Sequence, residues 1–293
     1  MADAAKDVEL MGAYWTTAGP THPHQGQEWS NFDFADRCAE AAKVGMKGIG
    51  IWHADLKHQL ESRSLEEIKK LVDDSGLSYV ELEFIWGFFE DEGTEGRKES
   101  DELRDLLLEA AAVLGAHHVK VGNIPGIPCE LPKLTERYAE LCAHAADRTD
   151  AVIAYEFMPF DVNVDSLDAA LQVVEGVGAD NGGIVIDTWH MAKLEIKPDD
   201  LKRIPLEYLT WVELSDGRME WMEDRVEETT RFRKLPGEGE FDIRGYVRAA
   251  REMGYDDAWG IEVLSDELRA EPIEEMYRHA FEATMAQFEA VAA

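Results

Sequence analysis

Short apolar runs alternate with amphipathic stretches along the whole chain. Eight of these runs predict β-strands, at residues 8–14, 48–52, 78–84, 118–121, 151–156, 182–190, 209–214 and 259–263. The stretches between them predict helices at residues 30–44, 64–76, 101–114, 131–147, 166–177, 242–253 and 273–290. Strands alternating with helices at this spacing predict one α/β domain, a single (β/α)8 TIM barrel over residues 1–293. A doubly wound open sheet is the alternative, but no Gly-x-Gly-x-x-Gly turn follows the first strand.

Residues 182–190 contain the clearest of these runs. Two glycines break the preceding segment, and an uninterrupted apolar run that begins at Ile184 leads directly into Asp187. In a parallel barrel, the C-terminal ends of the strands form the face that carries the chemistry. An unpaired carboxylate at the edge of a core costs several kcal/mol unless a positive group compensates it. Asp187 is therefore either a metal ligand or the N-cap of the next helix.

Three more strand-like runs have a carboxylate at or next to their last residue, so four acids are expected on one rim of the barrel: Glu156, Asp187, Glu213 and Glu262. Converging carboxylates repel and raise the pKa of one another unless a divalent cation neutralises them. Such an oxygen-rich site suits Mg²⁺ or Mn²⁺, with Co²⁺ as a further candidate, better than structural zinc. For each acid taken singly, a helix cap, an ion pair within the barrel or a solvated edge is the alternative reading.

The excess of acidic residues restricts the kinds of partner that this protein can bind. The formal net charge is −32, and the acids are spread along the chain rather than concentrated in a tail. This pattern predicts a solvated acidic surface of the halophilic kind, which repels nucleic acid and anionic membranes. No apolar run reaches about 18 residues, and residues 1–9 lack an apolar targeting core, so we expect a cytoplasmic protein that spans no membrane. The sequence leaves the oligomeric state open, a homo-oligomer included.

The three cysteines add no chemistry of their own. Cys38, Cys129 and Cys142 are scattered and contain no Cys-x-x-Cys pair, which favours small buried or free thiols over a metal site.

Four motifs carry a resemblance to a known group: Tyr155-Glu156-Phe157-Met158-Pro159, Val185-Ile186-Asp187-Thr188-Trp189-His190, Pro236-Gly237-Glu238-Gly239-Glu240-Phe241-Asp242 and Gly260-Ile261-Glu262-Val263. With these motifs and its element order, the chain resembles the xylose isomerase-like TIM-barrel superfamily, the sugar phosphate isomerase/epimerase group. Ketose 3-epimerases, inosose dehydratases and dehydroshikimate dehydratases belong to that group. The resemblance covers essentially the whole chain and is not specific for one activity.

The resemblance implies that Glu156, Asp187 and Glu262 bind a divalent metal ion. It also implies that Glu156 and Glu262 act as the acid and base on opposite faces of the substrate. The chain departs from the group at the seventh strand, where a histidine usually stands three residues before an aspartate and Glu213 stands here. Either Glu213 replaces the histidine as a ligand, or the metal is held differently and Glu213 contacts the substrate.

Six residues are candidates for contacting the substrate: His190, Arg218, Arg233, His53, Trp15 and Lys120. The resemblance implies His190 and one of the two arginines. The others stand near strand ends or on the first long loop, where an indole suits stacking on a sugar ring. An ion pair with Glu83 is the alternative for Lys120.

A site of this kind permits proton abstraction next to a carbonyl group. A divalent metal ion stabilises the enediolate, one glutamate removes the proton and the other returns it, which isomerises or epimerises a sugar-like ketone. If the enediolate instead expels a β-hydroxyl group, the enzyme is a dehydratase. A non-catalytic carbohydrate-binding barrel is the third alternative. A nuclease of the endonuclease IV type is disfavoured, because neither a histidine-rich zinc cluster nor a basic groove is evident.

Overall fold

A computed structural model describes residues 8–292. The strands of this part of the chain are β1 (Leu10–Gly12), β2 (Gly48–Trp52), β3 (Tyr79–Ile85), β4 (His118–Val121), β5 (Val152–Glu156), β6 (Gly182–Asp187), β7 (Leu209–Leu214) and β8 (Trp259–Ile261). Each strand pairs in parallel with the next, and β8 closes the barrel against β1. The predicted (β/α)8 barrel is therefore confirmed. Residues 1–7, which contain most of the segment searched for a targeting signal, lie outside the described range.

The helices of the described residues surround the barrel: α1 (Tyr14–Thr17), α2 (Phe34–Val44), α3 (His53–Leu60), α4 (Leu65–Asp74), α5 (Glu95–Leu114), α6 (Leu131–Ala146), α7 (Leu167–Val177), α8 (Thr188–Lys193), α9 (Arg225–Arg231), α10 (Ile243–Met253), α11 (Asp266–Arg269) and α12 (Ile273–Ala292). Short 3₁₀ helices occupy Pro198–Arg203 and Leu206–Tyr208. Within residues 8–292, no helix combines the length and the apolar character that crossing a membrane requires.

Polar caps set the helix boundaries. Ser64 and Glu67 form the predicted capping box of α4, each side chain accepting a hydrogen bond from the other residue's backbone. The strand predicted over 182–190 ends at Asp187, where α8 follows. The predicted start of α5 was also wrong, because α5 begins at Glu95 rather than at residue 101. The side chain of Thr94 caps the extra turns by accepting a hydrogen bond from the backbone NH of Arg97.

An apolar cluster inside the barrel consists of Met11, Ala154, Val185, Trp211 and Ala258. Because side chains alternate along a strand, Glu156 lies on the same face as Ala154, and Glu213 on the same face as Trp211, one step nearer the C-terminal rim. The pleat alone therefore turns late-strand carboxylates toward the barrel axis.

The segment 217–233 contains helix α9 and is held against the barrel. Lys193 of α8 donates a 2.6 Å hydrogen bond to Glu228, and Glu228 accepts a second one from the backbone NH of Met222. The ammonium of Lys193 also lies 4.5 Å from the centre of the Trp221 ring. These contacts fix the segment that carries Arg233 to the C-terminal rim.

Candidate functional site

Three carboxylates and one imidazole meet at the C-terminal rim of the barrel. The ligand atoms of Glu156, Asp187, His190 and Glu262, all four of them buried, lie within 4.8 Å of one another. His190 Nε2 is 3.3 Å from a carboxylate oxygen of Glu156 and 3.3 Å from one of Asp187. This donor set fits a divalent transition ion, because carboxylate oxygen and imidazole nitrogen are ligands that Mn²⁺, Co²⁺ and Zn²⁺ share.

His190 reaches this group through the local fold after β6. Asp187 ends the strand and caps α8 with one oxygen, which accepts a 2.8 Å hydrogen bond from the backbone NH of Trp189. His190 is therefore in the first turn of α8, three residues after Asp187, and its ring turns back over the carboxylate. Asp187 is both an N-cap and a member of the four-group cluster, so the two readings of the sequence are compatible.

Arg233 lies against the same cluster. Its Nη1 donates to Asp187 at 2.6 Å and to Glu262 at 3.1 Å. Its other two nitrogens donate to Thr229, each at 3.0 Å. All three guanidinium nitrogens thus donate to protein groups, and the guanidinium neutralises part of the charge that the acids would otherwise impose on one another.

Lys120 lies beneath the cluster, fully buried inside the barrel. Its ammonium donates to both oxygens of Glu213 at 3.1 Å and to Glu262 at 2.9 Å. The same nitrogen is 3.4 Å from Glu83 and 3.5 Å from Glu156. Glu213 therefore stands apart from the four-group cluster, with both oxygens directed at a lysine. The structure places His190, and not Glu213, beside Glu156, Asp187 and Glu262.

The two buried cations control which acids are ionised. Burial alone would raise the pKa of Glu262, but Lys120 and Arg233 outweigh it and lower that pKa to about 2. Burial raises the pKa of Glu213 and of Glu83 well above the usual range despite Lys120, since one ammonium is shared among several acids. Burial also raises the pKa of Asp187, against the opposing effect of Arg233. More carboxyl groups than cations are buried here, which is the condition that a bound divalent ion relieves.

A cavity of about 690 Å³ opens above this floor. Its aromatic wall comes from the first three strands and the segments after them, and includes Trp15, Trp52, Phe84 and Trp86. Glu156, His190, Arg233 and Glu262 form the ionic side. The cavity lies in the size range of small-molecule sites and combines apolar walls with a few convergent polar groups.

Four of the six residues suggested for substrate contacts line this cavity: His190, Arg233, His53 and Trp15. The other two do not. Arg218 is exposed and outside the cavity lining, and Lys120 is wholly enclosed beneath the floor. His24 also lines the cavity, whereas His22 lies 3.0 Å from Arg269 and outside the lining.

Some features of the site were not predicted from the sequence. Glu28 and Glu99 line the cavity, but they come from a loop and a helix start whose position over the mouth no local pattern indicates. Asp55, which follows β2, lies in α3 and forms a fully buried 2.8 Å ion pair with Arg37. A buried pair of this kind leaves Asp55 no free oxygen for a substrate, since its other oxygen accepts the backbone NH of Ser30.

Comparison with known proteins agrees with this architecture. The family model of the xylose isomerase-like TIM barrel matches residues 38–287. A 3-dehydroshikimate dehydratase of Pseudomonas aeruginosa is 27% identical over 239 residues, which are 79% of this chain and 36% of that protein. The chain thus spans about a third of the length of that relative. An inosose isomerase of Bacillus velezensis is 25% identical over 218 residues, 68% of this chain and 72% of that protein.

One solved structure, described as the IOLI protein with a bound zinc atom, superposes with a TM-score of 0.79 at 19% identity. The match covers 97% of this chain and 99% of that one. At this identity the likeness concerns the fold alone.

Proposed function

Because the chain belongs to the xylose isomerase-like TIM barrel family, we propose that it is a metal-dependent isomerase or epimerase of a sugar or sugar-like polyol ketone, acting through an enediolate. The observation that carries this proposal is the pair of buried glutamates, Glu156 and Glu262, facing one cavity beside His190 and Arg233. The inosose isomerase among the relatives supports the same reaction class.

Glu156, Asp187, His190 and Glu262 would hold the metal, proposed as Mn²⁺ or Mg²⁺ with Co²⁺ as a further candidate. A divalent ion bound there would supply the Lewis acidity that stabilises negative charge developing on the substrate's oxygens. Glu213, which has both oxygens on Lys120, contributes indirectly by holding that lysine.

The protein's own groups perform the proton transfers. One of Glu156 and Glu262 removes the proton from the carbon next to the carbonyl group, and the other returns a proton to the neighbouring or the same carbon. Lys120 and Arg233 hold opposite oxygens of Glu262, at 2.9 and 3.1 Å, so this carboxylate enters the reaction ionised and oriented. His190 lines the cavity, with its Nε2 3.3 Å from a carboxylate oxygen of Glu156.

A second reaction class has specific support. The 3-dehydroshikimate dehydratase relative, at 27% identity, favours a dehydratase in which the same enediolate expels a β-hydroxyl group. The two activities use the same residues up to the enediolate and differ in which bond breaks next.

The experiment is proton NMR of the Mn²⁺-loaded protein in D₂O with ketoses, inososes and 3-dehydroshikimate. We expect deuterium to enter the carbon next to the carbonyl group of one substrate class. Glu156→Gln and Glu262→Gln should each lower turnover by about 10²–10⁴-fold, because Gln cannot carry the proton. Substrate affinity should change far less.

Glu109→Gln provides the matched control, since it makes the same chemical change at an exposed helix position outside the cavity lining. Near-normal turnover and exchange in both of the floor variants with metal bound would rule out the proton-transfer roles.

A further inference from the structure

The cavity has two unlike sides, and this contrast restricts what it can hold. Trp15 and Trp52 lie with ring centroids 5.2 Å apart, and Trp52 and Trp86 with centroids 6.1 Å apart, so the indoles form one continuous wall. Phe84 belongs to the same apolar cluster. A wall of this kind favours a ligand with a rigid apolar face. The C–H groups of a six-membered ring offer such a face, whereas an open-chain polyol does not hold one.

The charge of the lining restricts the ligand further. Five carboxyl groups line the cavity, those of Glu28, Glu83, Glu99, Glu156 and Glu262. Arg233 is the one lysine or arginine among the described lining residues, and all three of its nitrogens already donate to the protein. The formal charge of the lining stays negative even with Glu83 protonated and a divalent ion bound.

His53, on the aromatic side of the cavity, does not change the negative charge of the lining. Burial lowers the pKa of His53 to about 3, and nearby Lys57 acts in the same direction. His53 is therefore neutral at physiological pH and offers a hydrogen bond rather than a charge. Apart from a bound metal ion, a carboxylated ligand would find no free cation among the described lining residues and would face several carboxylates.

From this lining we propose that the cavity selects an uncharged cyclic polyol ketone and rejects a ring that carries a carboxylate. The inference rests on the proposed function for the identity of the site, and it adds the charge and the shape of the substrate. The aromatic wall receives the C–H face of the ring, and the hydroxyl and carbonyl groups turn toward Glu156, His190 and Glu262. Glu99 and Glu28, at the mouth, act as the residues that discriminate by charge.

The test compares two six-membered ring ketones, an inosose, which is uncharged, and 3-dehydroshikimate, which carries a carboxylate. Binding to the Mn²⁺-loaded protein is measured by calorimetry at pH 7.5 and 0.1 M KCl, separately from turnover. We expect the inosose to bind at least about tenfold more tightly, because the carboxylate of 3-dehydroshikimate is repelled by several partly screened carboxylates of the cavity lining. Equal or tighter binding of 3-dehydroshikimate, or no binding of either ring, would overturn the proposal.

A charge reversal at the mouth sharpens the test. Glu99→Lys should narrow the preference for the inosose about tenfold by giving the carboxylate a cation. Glu109→Lys is the matched control, because this substitution changes the net charge equally. Glu109 is exposed on the same helix and does not line the cavity. A preference that is unchanged in Glu99→Lys, or that narrows equally in both variants, contradicts the assignment.

Turnover separates this inference from the proposed function. Selective binding of the inosose without any deuterium exchange would remove the proposed function and leave the charge selection standing. Conversion of 3-dehydroshikimate by the wild-type protein would support the proposed chemistry and overturn the charge selection.

Discussion

Replacing Lys120 with methionine should be among the most damaging single changes in this barrel. The ammonium is fully buried and lies within 3.5 Å of Glu83, Glu156, Glu213 and Glu262. Methionine fills a similar volume but leaves these acids without their shared cation. Removing one partner from a buried ion pair typically costs about 3–5 kcal/mol. With an unfolding entropy of about 2.1 cal/mol/K per residue over 293 residues, that loss lowers the melting temperature by roughly 5–8 °C.

The loss of stability in Lys120→Met should depend on pH, and the direction of this dependence follows from the pKa of Glu262. Lys120 is one of the two cations that lower the pKa of Glu262 to about 2, so in the variant burial raises the pKa of this acid. A carboxyl group whose pKa is higher in the folded than in the unfolded chain destabilises the fold as the pH rises, because the unfolded chain releases its proton first. The stability gap between wild type and Lys120→Met should therefore be larger at pH 8 than at pH 5.

The assay is thermal and urea unfolding followed by circular dichroism at both pH values. Lys69→Met is the control, since Lys69 pairs with Asp73 at 2.9 Å on an exposed helix face, where a pair of this kind contributes at most about 0.5 kcal/mol. Adding Glu213→Gln to Lys120→Met should restore part of the loss, because it removes one of the buried acids that Lys120 compensates. A Lys120→Met protein that melts within about 2 °C of wild type at pH 8 would refute the reasoning.

Three further predictions concern metal, pH and salt. Mn²⁺ at about a hundred times its dissociation constant should stabilise the protein by about 2.7 kcal/mol; Asp187→Asn, which keeps a capping side chain, should abolish this effect, and an unchanged metal response would remove Asp187 from the ligand set. The pKa of His53 is about 3 in the folded protein against 6.5 in the unfolded chain. Between pH 6.5 and 5 only the unfolded chain binds a proton at His53, so the stability should fall as the pH drops through this range. His53→Phe should reduce that fall by up to about 2 kcal/mol, and a pH profile parallel to wild type would contradict the assignment. Because the net charge is −32 and the screening length shrinks from about 10 Å at 0.1 M to about 3 Å at 1 M, the melting temperature should rise with KCl from 0.1 to 2 M; a flat curve would show that the acidic surface is no adaptation to salt.

Local patterns in the sequence were sufficient to predict the barrel fold and the acidic residues at its C-terminal rim. The capping box at Ser64 and the strand around Ile184 are signals within a few residues, and such signals do not depend on the rest of the chain. Alternation along a strand then placed Glu156 on the inner face, because every second side chain of a strand points the same way. The fold class and three members of the four-group cluster follow from these rules alone.

Only the closed barrel decided which groups meet. Lys120 bonds Glu213 and Glu262 across separations of 93 and 142 residues, and Arg233 reaches Asp187 across 46. No local pattern contains such a distance, so the role of Glu213 stayed open between a ligand and a substrate contact. His190 joined the cluster because the cap at Asp187 turned α8 back over the rim. The partners of a buried charge are set by the space around it, and that space exists only once the barrel has closed.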